Sequence, residues 1–261
     1  MSYSSPTGLR LCALQTVPMI QPNDDLADVI CRCMEAEAIE LEADDIVVVA
    51  QKIVSKAENR RVPLAGVTPT EEARALAAKA DKDPRVVQLI LDESREVVRM
   101  VPGVLIVEQN LGLVMANAGI DMSNIEQGEE DDHALLLPLD PDASCRNIRE
   151  GIRARTGINP SVIISDSVGR AWRECTVGLA IGVSGVPARV DLRGSTDLYG
   201  REQRVSEIAL ADSLAAAAVL LMGECDEGRP VVVISGLKLE RADESASAKD
   251  IVRAADKDLF R

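Results

Sequence analysis

Apolar and polar positions change period several times along the 261-residue chain, and each change predicts an element. Leu9 to Thr16 reads as an opening strand, and the proline-rich VPMIQPND as a turn. Asn23 is placed to cap a helix through DLADVICRCMEAEAIEL, where apolar residues recur at helical spacing. The β-branched run IVVVA predicts a buried strand. VTPTEEARALAAKA, capped at Thr68 or Thr70, and PRVVQLILDES predict two further helices. REVVRMVPGVLIVEQNLGLVMANAG divides into short strands at Pro102-Gly103 and at Gln109 to Gly112. An acidic loop, EQGEEDD, leads to LLLPLDP. DASCRNIREGIRARTG predicts a helix that stops at Gly157. SVIISDS is a strand, and TVGLAIGVSGVPARVDLRGSTDLYGRE predicts strands and a structured loop. SEIALADSLAAAAVLLMGECDEG predicts a long helix, RPVVVISGL a last strand, and the C-terminus a helix. Strands and helices mix without strict alternation, repeats or long linkers, which places the chain in the α+β class as a single unit or two entwined subdomains.

Composition narrows what this fold can do. Only four residues are aromatic (Tyr3, Trp172, Tyr199, Phe260), so the core must be aliphatic and stacking platforms for single-stranded nucleic acid are missing. A formal net charge of -14 opposes general binding to nucleic acid or anionic membrane. No apolar run reaches membrane-spanning length, and MSYSSPTGLRLCAL lacks a signal-peptide apolar region, so a cytoplasmic protein is expected. Six scattered cysteines form no C-x-x-C pair and read mostly as small apolar fillers. One histidine, His133, read as a solvated loop residue, removes most zinc sites and the Ser-His-Asp triad. Any metal should therefore be held by oxygen, which favours Mg²⁺ or Mn²⁺.

Four polar clusters interrupt the apolar pattern. In QKIVSKAENRR, Lys52 and Lys56 lie four apart, on one face of a helix, where both can meet a polyanion. In NAGIDMSN, Asp121 is a candidate hard-cation ligand and Asn124 an amide partner, or both simply make a turn. In SDSVGRAWRE, Asp166 and Ser167 sit where a strand hands over to a loop. Arg170 and Arg173 there can fork onto a phosphate or carboxylate, with Trp172 between them read as a packing residue. In MGECDEGRP, Glu224, Asp226 and Glu227 put negative charge at a helix C-terminus, a conflict that a cation removes. Acids for metal with cations for phosphate suggest metal-dependent phosphoryl chemistry. Neither G-x-x-x-x-G-K-[ST] nor a strand–G-x-G-x-x-G–helix occurs.

In order, DDIVVVAQKIVSKAENR, NAGIDMSN, ISDSVGRAWRE, AIGVSGV, DLRGSTDLYGRE and ADSLAAAAVLLMGECDEGRPVVVI closely resemble the coenzyme F-420-0:L-glutamate ligase family, over nearly the whole chain. The resemblance implies a mixed α+β fold with flanking helices that is not a P-loop, in intertwined homodimers. It implies GTP and two divalent ions, Mg²⁺ or Mn²⁺, per site, and admits K⁺. The implied reaction joins the amino group of L-glutamate to the terminal carboxylate of a deazaflavin precursor, giving an amide, GDP and phosphate; many members add a second, γ-linked glutamate. Some relatives carry a C-terminal flavin domain; this chain ends at Arg261, so no FMN is expected.

Carried over by motif, Asp121 and Asp166 would bind one metal, and Ser167 and Glu224 the other. Val17, Pro18, Met19, Ile20, Gln51, Lys52, Lys56, Asn124 and the run Met222, Gly223, Glu224, Cys225, Asp226, Glu227, Gly228, Arg229 would line the GTP site. Ser167 stands where relatives often carry threonine, Glu224 where glutamine is common, and Gln51 where a small hydroxyl residue is seen. VGRAW replaces the more usual FGRPW. Lys52, Lys56, Arg170 and Arg173 are the candidates to neutralise phosphate or carboxylate as an acyl phosphate forms, with Arg193 and Tyr199 weaker candidates for the acceptor site. Two other readings stand beside this one: the same ligase chemistry on a different carboxylate acceptor, and a GTP- or metal-binding protein without turnover.

Overall fold

A computed structural model describes residues 7–124, 132–238, 242 and 245–259. In chain order the strands are β1 (Arg10–Ala13), β2 (Ile46–Ala50), β3 (Arg61–Pro63), β4 (Ser94–Val101), β5 (Val104–Gln109), β6 (Val114–Ala116), β7 (His133–Leu135), β8 (Ser161–Arg170), β9 (Arg173–Ser184), β10 (Val190–Asp191), β11 (Glu207–Ile208) and β12 (Val231–Ser235). The helices are α1 (Leu26–Ala36), α2 (Gln51–Ala57), α3 (Glu71–Ala80), α4 (Pro84–Asp92), α5 (Pro141–Thr156) and α6 (Leu210–Met222). Helices and strands are mixed in several sheets, the α+β class expected.

The main sheet has the order β1-β12-β2-β8-β9, and only the central pair β2–β8 is parallel. Its central strand β2 is apolar throughout because both of its faces are covered. Ile46 and Val48 of β2 face one way and pack with Leu214, Ala215 and Ala218 of α6. Val47 and Val49 face the other way, into a core with Ile30 of α1 and Ile148 and Ile152 of α5. The alternation of Cβ directions along a strand thus divides one continuous run between two cores. Gly178 lets α6 approach β9: a Cβ there would stand 2.7 Å from the Ala215 carbonyl oxygen. A second layer joins α3 and α4 to the sheet β4-β5-β6 around Val87, Ile90, Leu105 and Val107. The core is aliphatic as expected; the two described aromatic residues, Trp172 and Tyr199, are 83% and 90% exposed.

Local chemistry sets the element ends. Thr70 caps α3, accepting from the Ala73 N–H, and Gly157 ends α5 in the left-handed region. Asn23 does not cap α1. It sits at φ 70, and Asp25 takes the role by accepting from the Asp28 N–H at 3.0 Å. The opening strand is shorter than expected, and among the described residues the C-terminal region holds only 3-10 turns, Ala248–Ile251 and Ala255–Lys257. His133 is half-buried in β7, paired with β3, rather than in a solvated loop. Trp172 is exposed at a hairpin turn instead of packed. The acidic stretch EQGEEDD lies outside the described residues except for Asp132. Of the cysteines, Cys33 and Cys145 fill the core, whereas Cys175 and Cys225 are exposed. No helix among the described residues is long and apolar enough to cross a membrane.

One buried acid fastens the end of the chain to this frame. Asp142 opens α5 and accepts from the Val183 N–H of β9 (2.8 Å), the Ala248 N–H (3.1 Å) and the Ser247 hydroxyl (2.6 Å). Asp142→Ala leaves those buried donors unpaired and should cost about 2–4 kcal/mol. Urea unfolding is expected to show the loss as a lower midpoint, with Asp142→Asn closer to wild type.

Candidate functional site

The site gathers where β2 runs directly into α2. Ala50 is extended and Gln51 begins the helix, so the chain turns at the edge of the sheet without a side-chain cap. Gln51 itself is buried, its amide oxygen accepting from the Ser55 hydroxyl at 2.9 Å. Lys52 and Lys56 lie one turn apart on α2, as expected. The Lys52 ammonium pairs with Asp121 Oδ2 at 2.7 Å and donates to Ser123 Oγ at 2.8 Å. Lys56 Nζ donates to the Asn124 carbonyl at 2.7 Å. Partial burial lowers the Lys56 pKa, and Lys52 and Arg61 add to this.

The segment after β6 supplies the acid. Asn117 and Ala118 both have positive φ, and this tight turn redirects the chain so that Asp121 bridges Leu135. The Ser123 N–H donates to Asp121 Oδ1 at 2.7 Å. Burial raises the Asp121 pKa, but the Lys52 and Ser123 bonds outweigh it, and the carboxyl ends below its ordinary range. Asn124 reaches further: its side-chain amide donates to the Cys225 carbonyl at 2.9 Å. Ser123 was not singled out in the sequence; a hydroxyl two residues after a turn aspartate, the Asx-turn pattern, was the available signal.

Asp166 and Ser167 come from β8. They lie inside the strand, not at its end, because β8 continues to Arg170 and pairs with β9 throughout. Alternation then points neighbouring side chains to opposite faces. Ser165 and Ser167 turn toward the α6 side, where Ser165 meets Met222 and Ser167 Oγ donates to Glu224 Oε1 at 2.6 Å. Asp166 turns the other way. Its pKa is raised to about 7, first by desolvation and then by the Asp121 and Glu224 charges, against the Ser167 N–H and Lys52.

Glu224 follows α6, which ends at Gly223 with φ 74 and ψ -178. That backbone conformation is one that essentially only glycine adopts, so glycine permits this exit. Glu227 folds back onto the Cys225 N–H at 2.9 Å, which fixes the loop and lowers the Glu227 pKa. Arg229 closes the loop with a buried Nε that has no hydrogen-bond partner among the described residues.

Lys52, Lys56, Asp121, Asn124, Asp166, Ser167, Glu224 and the loop to Arg229 are therefore linked in one region. Val17 to Ile20 lie in the loop after β1, which the Asn23 N–H ties to the Ala57 carbonyl at the end of α2 (2.8 Å). Ile20 is buried and Met19 exposed. Arg170 and Arg173 stand apart at the exposed hairpin tip, about 13 Å along the strand from Asp166. Arg193 is engaged by Asp191, and Tyr199 is exposed on the loop between β10 and β11.

Among the described residues, no three His, Cys, Asp or Glu side chains converge closely enough to hold a metal ion by themselves. In kind, however, the donors fit a hard cation: three carboxylates and a hydroxyl, with one carboxyl driven toward its neutral form by burial and by like charge. Because the folded state binds that proton more tightly than the unfolded chain, Asp166 destabilises the metal-free protein increasingly from pH 4 to above pH 7. Asp166→Asn should therefore raise the melting temperature of metal-free protein at pH 8, a gain of about 2 kcal/mol that vanishes near pH 4. Calorimetric scans at the two pH values check it.

A family model described as F420-0:Gamma-glutamyl ligase matches residues 15–236. The chain is 44% identical to the coenzyme F420:L-glutamate ligase of Methanopyrus kandleri, across 97% of this chain and 99% of that one. It is 42% identical to the protein of that name from Archaeoglobus fulgidus (95% and 94% covered) and 38% identical to that from Haloarcula marismortui (97% and 96% covered). With its acids, lysines and closing loop in one region and such similarity along nearly its full length, the chain belongs to the F420-0:gamma-glutamyl ligase family.

Proposed function

We propose that the protein is a GTP-dependent ligase that joins the amino group of L-glutamate to the carboxylate of coenzyme F420-0 through an acyl phosphate, and adds further γ-linked glutamates. The relatives' shared name supports the reaction class and both substrates. The observation that carries the nucleotide and the mechanism is the meeting of Lys52, Lys56, Asp121, Asp166 and Glu224 from four separate segments.

The chemistry explains why such a mixture is needed. A carboxylate is a poor acyl donor to an amine at neutral pH. Its oxygen attacks the γ-phosphorus, the bond from that phosphorus to the β-phosphate oxygen breaks, and GDP leaves. The glutamate amine then adds to the acyl carbon, loses its proton, and phosphate departs with the amide formed. In the first step two anions must meet, so positive charge has to be preset around them. Lys52 and Lys56 share one helix face and supply two ammonium groups there. Lys56 keeps its Nζ on the Asn124 carbonyl, and the Asn124 amide holds the 223–229 loop, so the lysines and the loop are positioned together. Arg229, with its buried Nε unpartnered, is placed to meet an anion entering that loop.

Asp121, Asp166, Ser167 and Glu224 would hold Mg²⁺ or Mn²⁺, with K⁺ as a further ion. Such ions, when bound, supply charge neutralisation to the phosphates. The Asp121 and Glu224 charges raise the proton affinity of Asp166, and Lys52 already pairs with Asp121, so the protein partly balances this charge with its own ammonium.

Incubation of the protein with F420-0 labelled with ¹⁸O in its carboxylate, GTP, glutamate and Mn²⁺ tests the reading. The expected products are an amide heavier than the acceptor by one or more glutamyl units and phosphate carrying one ¹⁸O. Amide without labelled phosphate would remove the acyl phosphate. No amide with F420-0, but amide with another carboxylate, would move the chain to a different acceptor.

A further inference from the structure

The hairpin joining β8 and β9 extends past the site and is built irregularly. Gly169 pairs with Thr176, but Arg170 pairs with Arg173, so β9 carries two extra residues, Glu174 and Cys175. Cys175 has φ 67, and Trp172 in the turn has φ 64. Two left-handed non-glycine residues within four positions are costly and, like bulges, collect where a side chain must be aimed. Here the aim is outward. Trp172 is 83% exposed and flanked by exposed Arg170 and Arg173. Arg170 Nη1 donates to the Cys175 carbonyl at 3.1 Å, which fixes its guanidinium against the bulge. The tip is locally cationic on a chain of net charge -14. Four residues of strand separate it from Asp166, about 13 Å. Between them Gly169 opens onto free space, with no atom within 4 Å of where a Cβ would stand.

We propose that this tip binds the far end of the acceptor. Trp172 stacks on the deazaflavin ring, while Arg170 and Arg173 hold the anionic chain that leads from the ring to the reacting carboxylate near Asp166. The inference rests on the ligase reading and adds to it the determinant of acceptor choice. A flat aromatic system covers the exposed indole face to face, and guanidinium groups fork onto an anionic linker. The separation suits an acceptor with its ring at one end and its carboxylate at the other.

Trp172 is the only tryptophan in the chain, so emission excited beyond the tyrosine absorption band reports on this tip. Titrating F420-0 into the protein without GTP, glutamate or metal should quench and shift that emission saturably. Trp172→Ala should raise the KM for F420-0 about tenfold, the loss of one stacking contact, and leave the KM for GTP unchanged. Trp172→Phe should recover most of the loss. Arg170→Ala/Arg173→Ala should raise the same KM and reduce its dependence on salt. Unchanged emission at F420-0 concentrations that saturate turnover would overturn the proposal, as would an unaltered acceptor KM in Trp172→Ala. A loss in Trp172→Ala that tracks a change of oligomeric state by light scattering would also overturn it and assign the tip to a contact between copies. Quenching by F420-0 without any turnover would sustain acceptor binding at the tip and defeat the ligase reading.

Discussion

Carboxylates brought near one another must be balanced by positive charge, and that constraint organises the site. The Asp166 pKa is raised to about 7, chiefly by desolvation and further by the Asp121 and Glu224 charges. A fold does not assemble such a group for stability; neutral side chains in these places would cost less. On the proposed reading, bound cations complete that balance. Lys52 supplies part of that balance from the protein, through its 2.7 Å contact with Asp121.

The scaffold meets the constraint by bringing distant segments to one edge of the main sheet. The parallel pair β2–β8 places the start of α2 beside Asp166, and α6, covering the next face, releases its C-terminal loop beside Ser167. The turn after β6 delivers Asp121 and Asn124 from the second layer. Each contribution sits on or next to a regular element, so rigid packing positions the donors. The aliphatic cores on both faces of the sheet provide that rigidity, with Gly178 and Gly223 permitting the close approach and the abrupt exit of α6.

Much of this was legible in the sequence, because it depends on local rules. IVVVA read as a buried strand, Thr68 or Thr70 and Gly157 as helix ends, and the four-residue spacing of Lys52 and Lys56 as one helix face. What misled were competitions that local patterns do not reveal. Asn23 and Asp25 are both good caps, and the winner depended on where the chain from β1 enters α1. SDS looked like a strand end because polar residues usually mark one; pairing with β9 carries the strand on, so Asp166 and Ser167 take opposite faces and different partners. The lone tryptophan between Arg170 and Arg173 was read as a packing residue, but a left-handed turn at Trp172 sends it outward. The links that unite the site, Lys56 to Asn124 and Asn124 to Cys225, span 68 and 101 residues, and no spacing rule reaches that far.

The central claim is that the gathered acids form a cation site serving the nucleotide. Mn²⁺ uptake, followed by loss of the free-ion electron paramagnetic resonance signal in the presence of a non-hydrolysable GTP analogue, tests it most directly. The account predicts tight uptake by the wild-type protein and loss of that uptake in Asp121→Asn/Asp166→Asn/Glu224→Gln. Equal Mn²⁺ uptake by the two folded proteins would contradict it.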